Sequence, residues 1–104
     1  MNGGALMFTT IWEFEVDPDA RDDFVQVYGP AGPWAALFRA APGFRETILL
    51  QDVARPDRLV TFDRWESRGD WEAFRQARHD AYTSLDLATS GLARTERHLG
   101  TLES

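Results

Sequence analysis

Apolar and polar positions divide the chain into six main segments. Over residues 6 to 16 (LMFTTIWEFEV), alternation puts Phe8, Thr10, Trp12, Phe14 and Val16 on one face. Met7, Thr9, Ile11, Glu13 and Glu15 fall on the other, which predicts a strand. The second face is apolar at its start, so a sheet partly covered on both sides is expected. Asp17-Pro18 then reads as a helix start, with acidic Asp19 close to the positive end of the helix. Ala20, Phe24, Val27 and Tyr28 follow at helical spacing until Gly29-Pro30-Ala31-Gly32-Pro33 breaks the run. Pro33 opens a short second helix in which Trp34, Leu37 and Phe38 share a face, and Pro42-Gly43 closes it. Residues 44 to 53 (FRETILLQDV) and 58 to 66 (RLVTFDRWE) read as strands. The short connection at Arg55-Pro56-Asp57 makes them an antiparallel hairpin.

Ser67, with Asp70 three residues on, resembles a capping box and starts the principal helix. Trp71, Phe74, Ala77, Ala81, Tyr82 and Leu85 fall within one arc when each residue advances about 100°. A turn or short helix over Leu87 to Gly91 leads to a last, weaker strand over residues 92 to 102 (LARTERHLGTL). Residues 1 to 5 read as a loose leader and residues 6 to 104 as one domain. The order is the ferredoxin-like βαββαβ arrangement of an α+β protein, a four-stranded antiparallel sheet with helices on one face. The uncovered face is apolar, and a second copy is the expected cover: a homodimer through the open sheet face.

Composition narrows the chemistry. All 11 basic residues are Arg, and with no Lys the chain has no Schiff-base amine and no P-loop lysine. A net charge of −6 without a basic stripe argues against nucleic acid and against an anionic membrane surface. No Cys is present, which removes disulfides and thiolate ligands and fits a cytoplasmic setting. No run approaches the roughly 20 apolar residues of a membrane span. Four Trp and seven Phe exceed what one small core absorbs, so some are expected to line a pocket or an interface.

The run Thr61-Phe62-Asp63-Arg64-Trp65-Glu66-Ser67 leads into Trp71-Glu72-Ala73-Phe74, and Pro42-Gly43-Phe44 precedes the second strand. Together these resemble the antibiotic biosynthesis monooxygenase family of dimeric α+β barrels, over nearly the whole chain from Met7 to Leu102. Tyr28 to Trp34 with Leu37-Phe38 is similar to a branch of that family without an assigned role. The resemblance implies a dimer whose sheets pack together and a pocket between sheet and helices in each subunit. Some members oxidise aromatic polyketide rings to quinones with no metal or flavin, so no cofactor is expected. Others degrade haem. The strand-end Trp of the quinone-forming members matches Trp65, and Trp71 stands where they carry a helix-entry aromatic. Their strand-three Asn has no counterpart, because the one Asn here is Asn2. The haem degraders' first-strand Asn and helical His are not matched either, since Trp12 and Phe14 occupy that strand and His79 sits at another spacing.

Cofactor-free oxygenation needs a pocket that holds a flat ring, favours its anion and excludes water. Trp65 is the leading wall residue, or else a core Trp bridging sheet and helix. Asp63 shares its strand face and is the candidate base; the alternative is an Asp paired with Arg78 or Arg64. Arg78 falls inside the helical apolar arc, about 40° from its centre by the same count. It is the candidate donor to a substrate oxyanion, or a side chain that snorkels or pairs with Asp63. Trp71, Tyr82, Trp12 and Trp34 complete the candidate binding residues for a small aromatic ligand. His79 lies about 140° from the arc's centre and is expected to point to solvent or to the partner subunit, and His98 to face the dimer side or an edge. Two isolated His make no metal site, and none is expected. Two readings follow: a cofactor-independent monooxygenase acting on a small aromatic or polyketide-like compound, or a non-catalytic dimeric ligand-binding or stress-response scaffold.

Overall fold

The computed structural model describes residues 7 to 104. The leader expected over residues 1 to 5, and residue 6 of the expected first strand, lie outside the described residues. Four strands form one antiparallel sheet: β1 (Phe8–Glu15), β2 (Phe44–Gln51), β3 (Arg58–Trp65) and β4 (Thr95–Glu103), in the order β2-β3-β1-β4. Four helices connect them: α1 (Arg21–Tyr28), α2 (Pro33–Arg39), α3 (Arg68–Ala77) and α4 (His79–Thr89). This is the ferredoxin-like α+β order, with the helices on one face of the sheet.

Local chemistry sets the element ends. Strand β2 stops at Gln51, before the expected end at residue 53, because the Asp52 carboxylate accepts from the backbone N–H of Ala54 and of Arg55. At the start of α3, Ser67 Oγ accepts from the Asp70 backbone N–H at 3.1 Å. Asp17 does not cap. Its carboxylate pairs with Arg94 at 3.0 Å, and a 3-10 turn over Pro18–Ala20 opens the helical run instead. Gly43 has φ +89, a backbone shape that disfavours any side chain, and a Cβ there would overlap the Asp70 carboxyl.

One expectation is corrected. The helix after Ser67 is not continuous: Arg78, at φ −117 and ψ 28, separates α3 from α4. Hydrogen bonds persist on both sides, from Arg78 N–H to the Phe74 carbonyl and from Tyr82 N–H to the Arg78 carbonyl. A straight helix would carry the Arg78 guanidinium into the apolar face without a partner. The bend leaves it exposed while Phe74 and Tyr82 both keep inward contacts.

Alternation along β1 holds. Phe8, Thr10, Phe14 and Val16 are buried under the helices, facing Leu59, Thr61 and Trp65 of β3 and Phe24 and Phe74 of the helices. The opposite sheet face carries Ile11, Ile48, Val60 and Phe62, together with the exposed Leu50, Leu99 and Leu102. Ion pairs fringe that face: Arg58 with Glu13 and Asp52, Arg64 with Glu46, and Arg97 with Glu13.

Gly43→Ala is expected to destabilise the fold by about 2 kcal/mol or more, through backbone strain and the clash with Asp70. Gly91→Ala, where a Cβ meets open space, should stay within about 0.5 kcal/mol of the parent. Urea unfolding of the two variants checks this.

Candidate functional site

Between the sheet and its helices lies a cavity of two adjoining lobes. The first, about 40 Å³, is bounded by β1, β3, β4 and helices α1, α2 and α4. The second, about 60 Å³, runs toward Trp65, Trp71, His98 and Thr101. Trp12, Phe38, Asp63 and Tyr82 border both. Each lobe has room for a few waters by volume, since one water needs on the order of 10–15 Å³. A larger ligand enters only if a wall moves.

Asp63 is the polar centre of this cavity. It projects from the middle of β3, opposite Thr47 of β2 and Thr10 of β1. The Thr47 hydroxyl donates to its Oδ1 at 2.9 Å. Burial pushes the carboxyl up to about 6, and the Thr47 hydrogen bond offsets part of that rise. Neither arginine weighed as its partner reaches it. Arg64 points to the opposite sheet face and binds Glu46 at 2.7 Å, and Arg78 stands exposed at the helix junction.

The aromatic walls are held by contacts of their own. Tyr28 Oη and Trp34 Nε1 both donate to Thr89 Oγ1, each at 3.2 Å, and Thr89 donates in turn to the Leu85 carbonyl at 2.8 Å. One hydroxyl thereby ties α1 and α2 to the end of α4. Burial raises both tyrosine hydroxyls above their ordinary range. Trp65 is fully buried against Phe38, Phe44 and Phe74. Its indole N–H has no hydrogen-bond partner among the described residues.

Of the residues singled out from the sequence, Asp63, Trp12 and Tyr82 border both lobes, Trp34 the first, and Trp65 and Trp71 the second. Arg78 borders neither. The arginine on the inward side of this helix is Arg75, which borders neither lobe but packs on two of the wall residues. Its guanidinium lies 4.1 Å from the Tyr82 ring centroid and 5.4 Å from that of Trp71. The spacing 71, 75, 82 signals this in the sequence, at four and seven residues along one helical face. His98 lies on the edge strand β4, one of its two expected placements, and there it stays exposed, turned away from the expected dimer side and packed on Trp12 with centroids 4.9 Å apart. A bulge causes the change: Ile11 pairs with Gly100 and Trp12 with His98, which leaves Leu99 unpaired. Leu99 and Leu102, three apart around Gly100, were the available sign, because strict alternation cannot put both on one face. Asp86 and Glu96 border the first lobe and had drawn no attention in the sequence.

Among the described residues no three His, Asp or Glu side chains come together as a metal-binding set. No helix is long and apolar enough to cross a membrane.

The family model described as antibiotic biosynthesis monooxygenase matches residues 7–81. The chain belongs to that family. Solved structures similar to this monooxygenase-family chain agree on the fold. SnoaB of Streptomyces nogalater, described as a cofactor-independent oxygenase, is 19% identical, with 96% of this chain and 94% of that chain covered at a TM-score of 0.69. A conserved protein of Methanosarcina mazei is 13% identical, covering 95% and 91% at a TM-score of 0.65. A protein of Shewanella oneidensis is 11% identical, covering 95% and 91% at a TM-score of 0.68. Among curated proteins no significant sequence match is found.

Asp63 makes stability depend on pH in a family fold of this kind. Its folded pKa lies above its model value of 3.8, so the folded state holds the proton more tightly than the unfolded chain does. Its contribution favours folding at low pH and is lost as pH rises through about 6. Asp63→Asn removes that dependence. Relative to this variant, the parent is expected to lose about 3 kcal/mol at most between pH 4 and pH 8, from urea midpoints measured at both.

Proposed function

We propose that the chain is a cytoplasmic, cofactor-independent monooxygenase acting on a small aromatic or polyketide-like compound, and that it works as a homodimer. The observation that carries the reading is Asp63: a buried carboxyl with no cationic partner, raised to about 6, at the meeting point of two aromatic-lined lobes. Near neutral pH such a group is ionised and basic enough to take a proton from an acidic phenol or an anthrone-type CH₂. The substrate anion gives one electron to O₂, and the resulting pair combines to form a carbon–oxygen bond. The peroxide oxygen recovers the proton from Asp63, and loss of water leaves the new carbonyl. Substrate and O₂ supply every atom and electron of the product carbonyl and the water.

The walls fit their part of that scheme. Trp12, Trp34, Trp71 and Tyr82 offer ring faces for stacking, and the unpaired Trp65 N–H is ready to donate to a substrate oxygen. Arg78 has no place in the scheme, since it lies outside the cavity. Family membership and the likeness to an oxygenase that is itself described as cofactor-independent support the reading. The smallness of the lobes favours the second reading, a non-catalytic ligand-binding or stress-response scaffold, in which Asp63 and the rings hold a ligand without turning it over.

Oxygen uptake with an anthrone probe separates the two. The parent rate should rise as pH climbs through about 6, as Asp63 ionises. Asp63→Asn should lower it by about 100-fold or more, the ordinary scale of a lost general base, and Arg78→Ala should leave it unchanged. An Asn variant as fast as its parent removes the base assignment, and a parent that consumes no oxygen leaves the scaffold.

The open sheet face supports the dimer. Ile11, Ile48, Val60 and Phe62 form an apolar surface that the chain's own helices leave bare. Sedimentation should give twice the 11.8 kDa chain mass. Phe62→Asp, at the middle of that face, should shift the protein toward the single chain; a parent that stays monomeric at tens of micromolar rejects the assembly.

A further inference from the structure

The first lobe carries an electrical asymmetry that oxygen chemistry alone does not call for. Six aromatic side chains border it: Trp12, Phe14, Tyr28, Trp34, Phe38 and Tyr82. Three carboxylates border it as well, Asp63 from β3, Asp86 from α4 and Glu96 from β4, and no cationic side chain does. Ion pairs are plentiful elsewhere, yet among the described residues they engage none of these three. Arg75 lies on the Tyr82 ring and outside the lobe's lining, so among the described residues the three carboxylates have no ion-pair partner and act on one another. Burial and then Asp86 raise the Glu96 carboxyl. Burial chiefly raises the two tyrosine hydroxyls, and Asp86 and Glu96 add to it against the opposing Thr89 hydrogen bond at Tyr28 and Arg75 at Tyr82.

We propose that this lobe receives the cationic group of an organic ligand, a protonated amine or quaternary ammonium, whose aromatic ring lies in the adjoining lobe. The proposal rests on the reading of the cavity as an aromatic-ligand site and names the class of compound it takes. Ring faces attract cations through their quadrupoles, and the attraction is largest for weakly hydrated organic cations beside Trp and Tyr. Among the described residues the carboxylates are not grouped as a chelating set, which speaks against a metal ion; an organic cation, like any ligand of this small cavity, enters as a wall moves. The bonds from Tyr28 and Trp34 to Thr89 hold two of the ring faces in place before any ligand arrives. An independent sign is Trp65, which borders the second lobe, is fully buried and has an indole N–H without a partner among the described residues. A buried donor of that kind calls for an acceptor. The ligand is thus cationic at one end and bears an oxygen acceptor on its ring at the other. Anionic ligands of the same size are disfavoured by the same three carboxylates.

Three one-ring probes separate the terms: benzylamine, benzyl alcohol and benzoate, titrated at pH 7 into the whole protein and followed by the indole N–H signals of the four Trp. Benzylamine is expected to bind about tenfold more tightly than benzyl alcohol, the scale of a partly desolvated cation–π contact with a nearby charge, and benzoate most weakly. In an Asp86→Asn, Glu96→Gln double variant the preference for the amine should fall by about threefold or more, to what the rings and Asp63 sustain, while benzyl alcohol binds as before. Equal binding of amine and alcohol, tightest binding of benzoate, or an amine preference undiminished in the double variant overturns the proposal and leaves the aromatic site standing. If none of the three shifts an indole signal, the aromatic-ligand reading fails, and this proposal fails with it.

Discussion

Ring-on-ring packing holds the helices to the sheet, and the other features of the molecule depend on it. Phe14 of β1 meets Phe24 and Tyr28 of α1 with centroids 4.9 and 5.0 Å apart. Phe38 of α2 meets Trp65 of β3 at 5.8 Å and Phe74 of α3 at 5.3 Å. Flat, stiff plates at tilted angles gain much dispersion energy where they touch and cannot deform to fill the angles between them. The two lobes are the space that such packing leaves. A core of Leu and Ile would have closed over Asp63. This one keeps a carboxylate buried beside a gap, and the raised pKa follows from that.

Partial coverage of the sheet is the second constraint. All four helices lie in one layer on one face. The helices here cover the β1 face of Phe8, Thr10 and Phe14 and leave Ile11, Val60 and Phe62 bare. The cavity lies under the helices and the bare apolar face lies opposite it.

Strand alternation, the Gly-Pro break at residues 29 to 33 and the Ser67 cap were legible in the sequence because each depends on neighbours along the chain. So was the inward face of β3, which carries Asp63 and Trp65 together. What escaped reading depends on irregularity or on distance. The bend at Arg78 cannot be counted from a fixed 100° step, and it left Arg78 exposed while Arg75 packs on Trp71 and Tyr82. The loss of both presumed partners of Asp63 is a fact of three dimensions: Arg64 is adjacent in sequence and on the opposite face of the sheet. Asp86 and Glu96 looked like ordinary solvated acids until α4 and β4 were brought to the same rim.

The unpaired residue in β4 reaches further than its size implies. Had the ladder run regularly from Thr101 toward Thr95, Leu99 and Arg97 would face the helices in place of His98 and Glu96. The mouth of the cavity would then carry positive charge and a greasy wall. A single inserted position in an edge strand therefore acts as a polarity selector. A lineage that gained or lost one residue there would exchange an acidic doorway for a basic one without altering any helix.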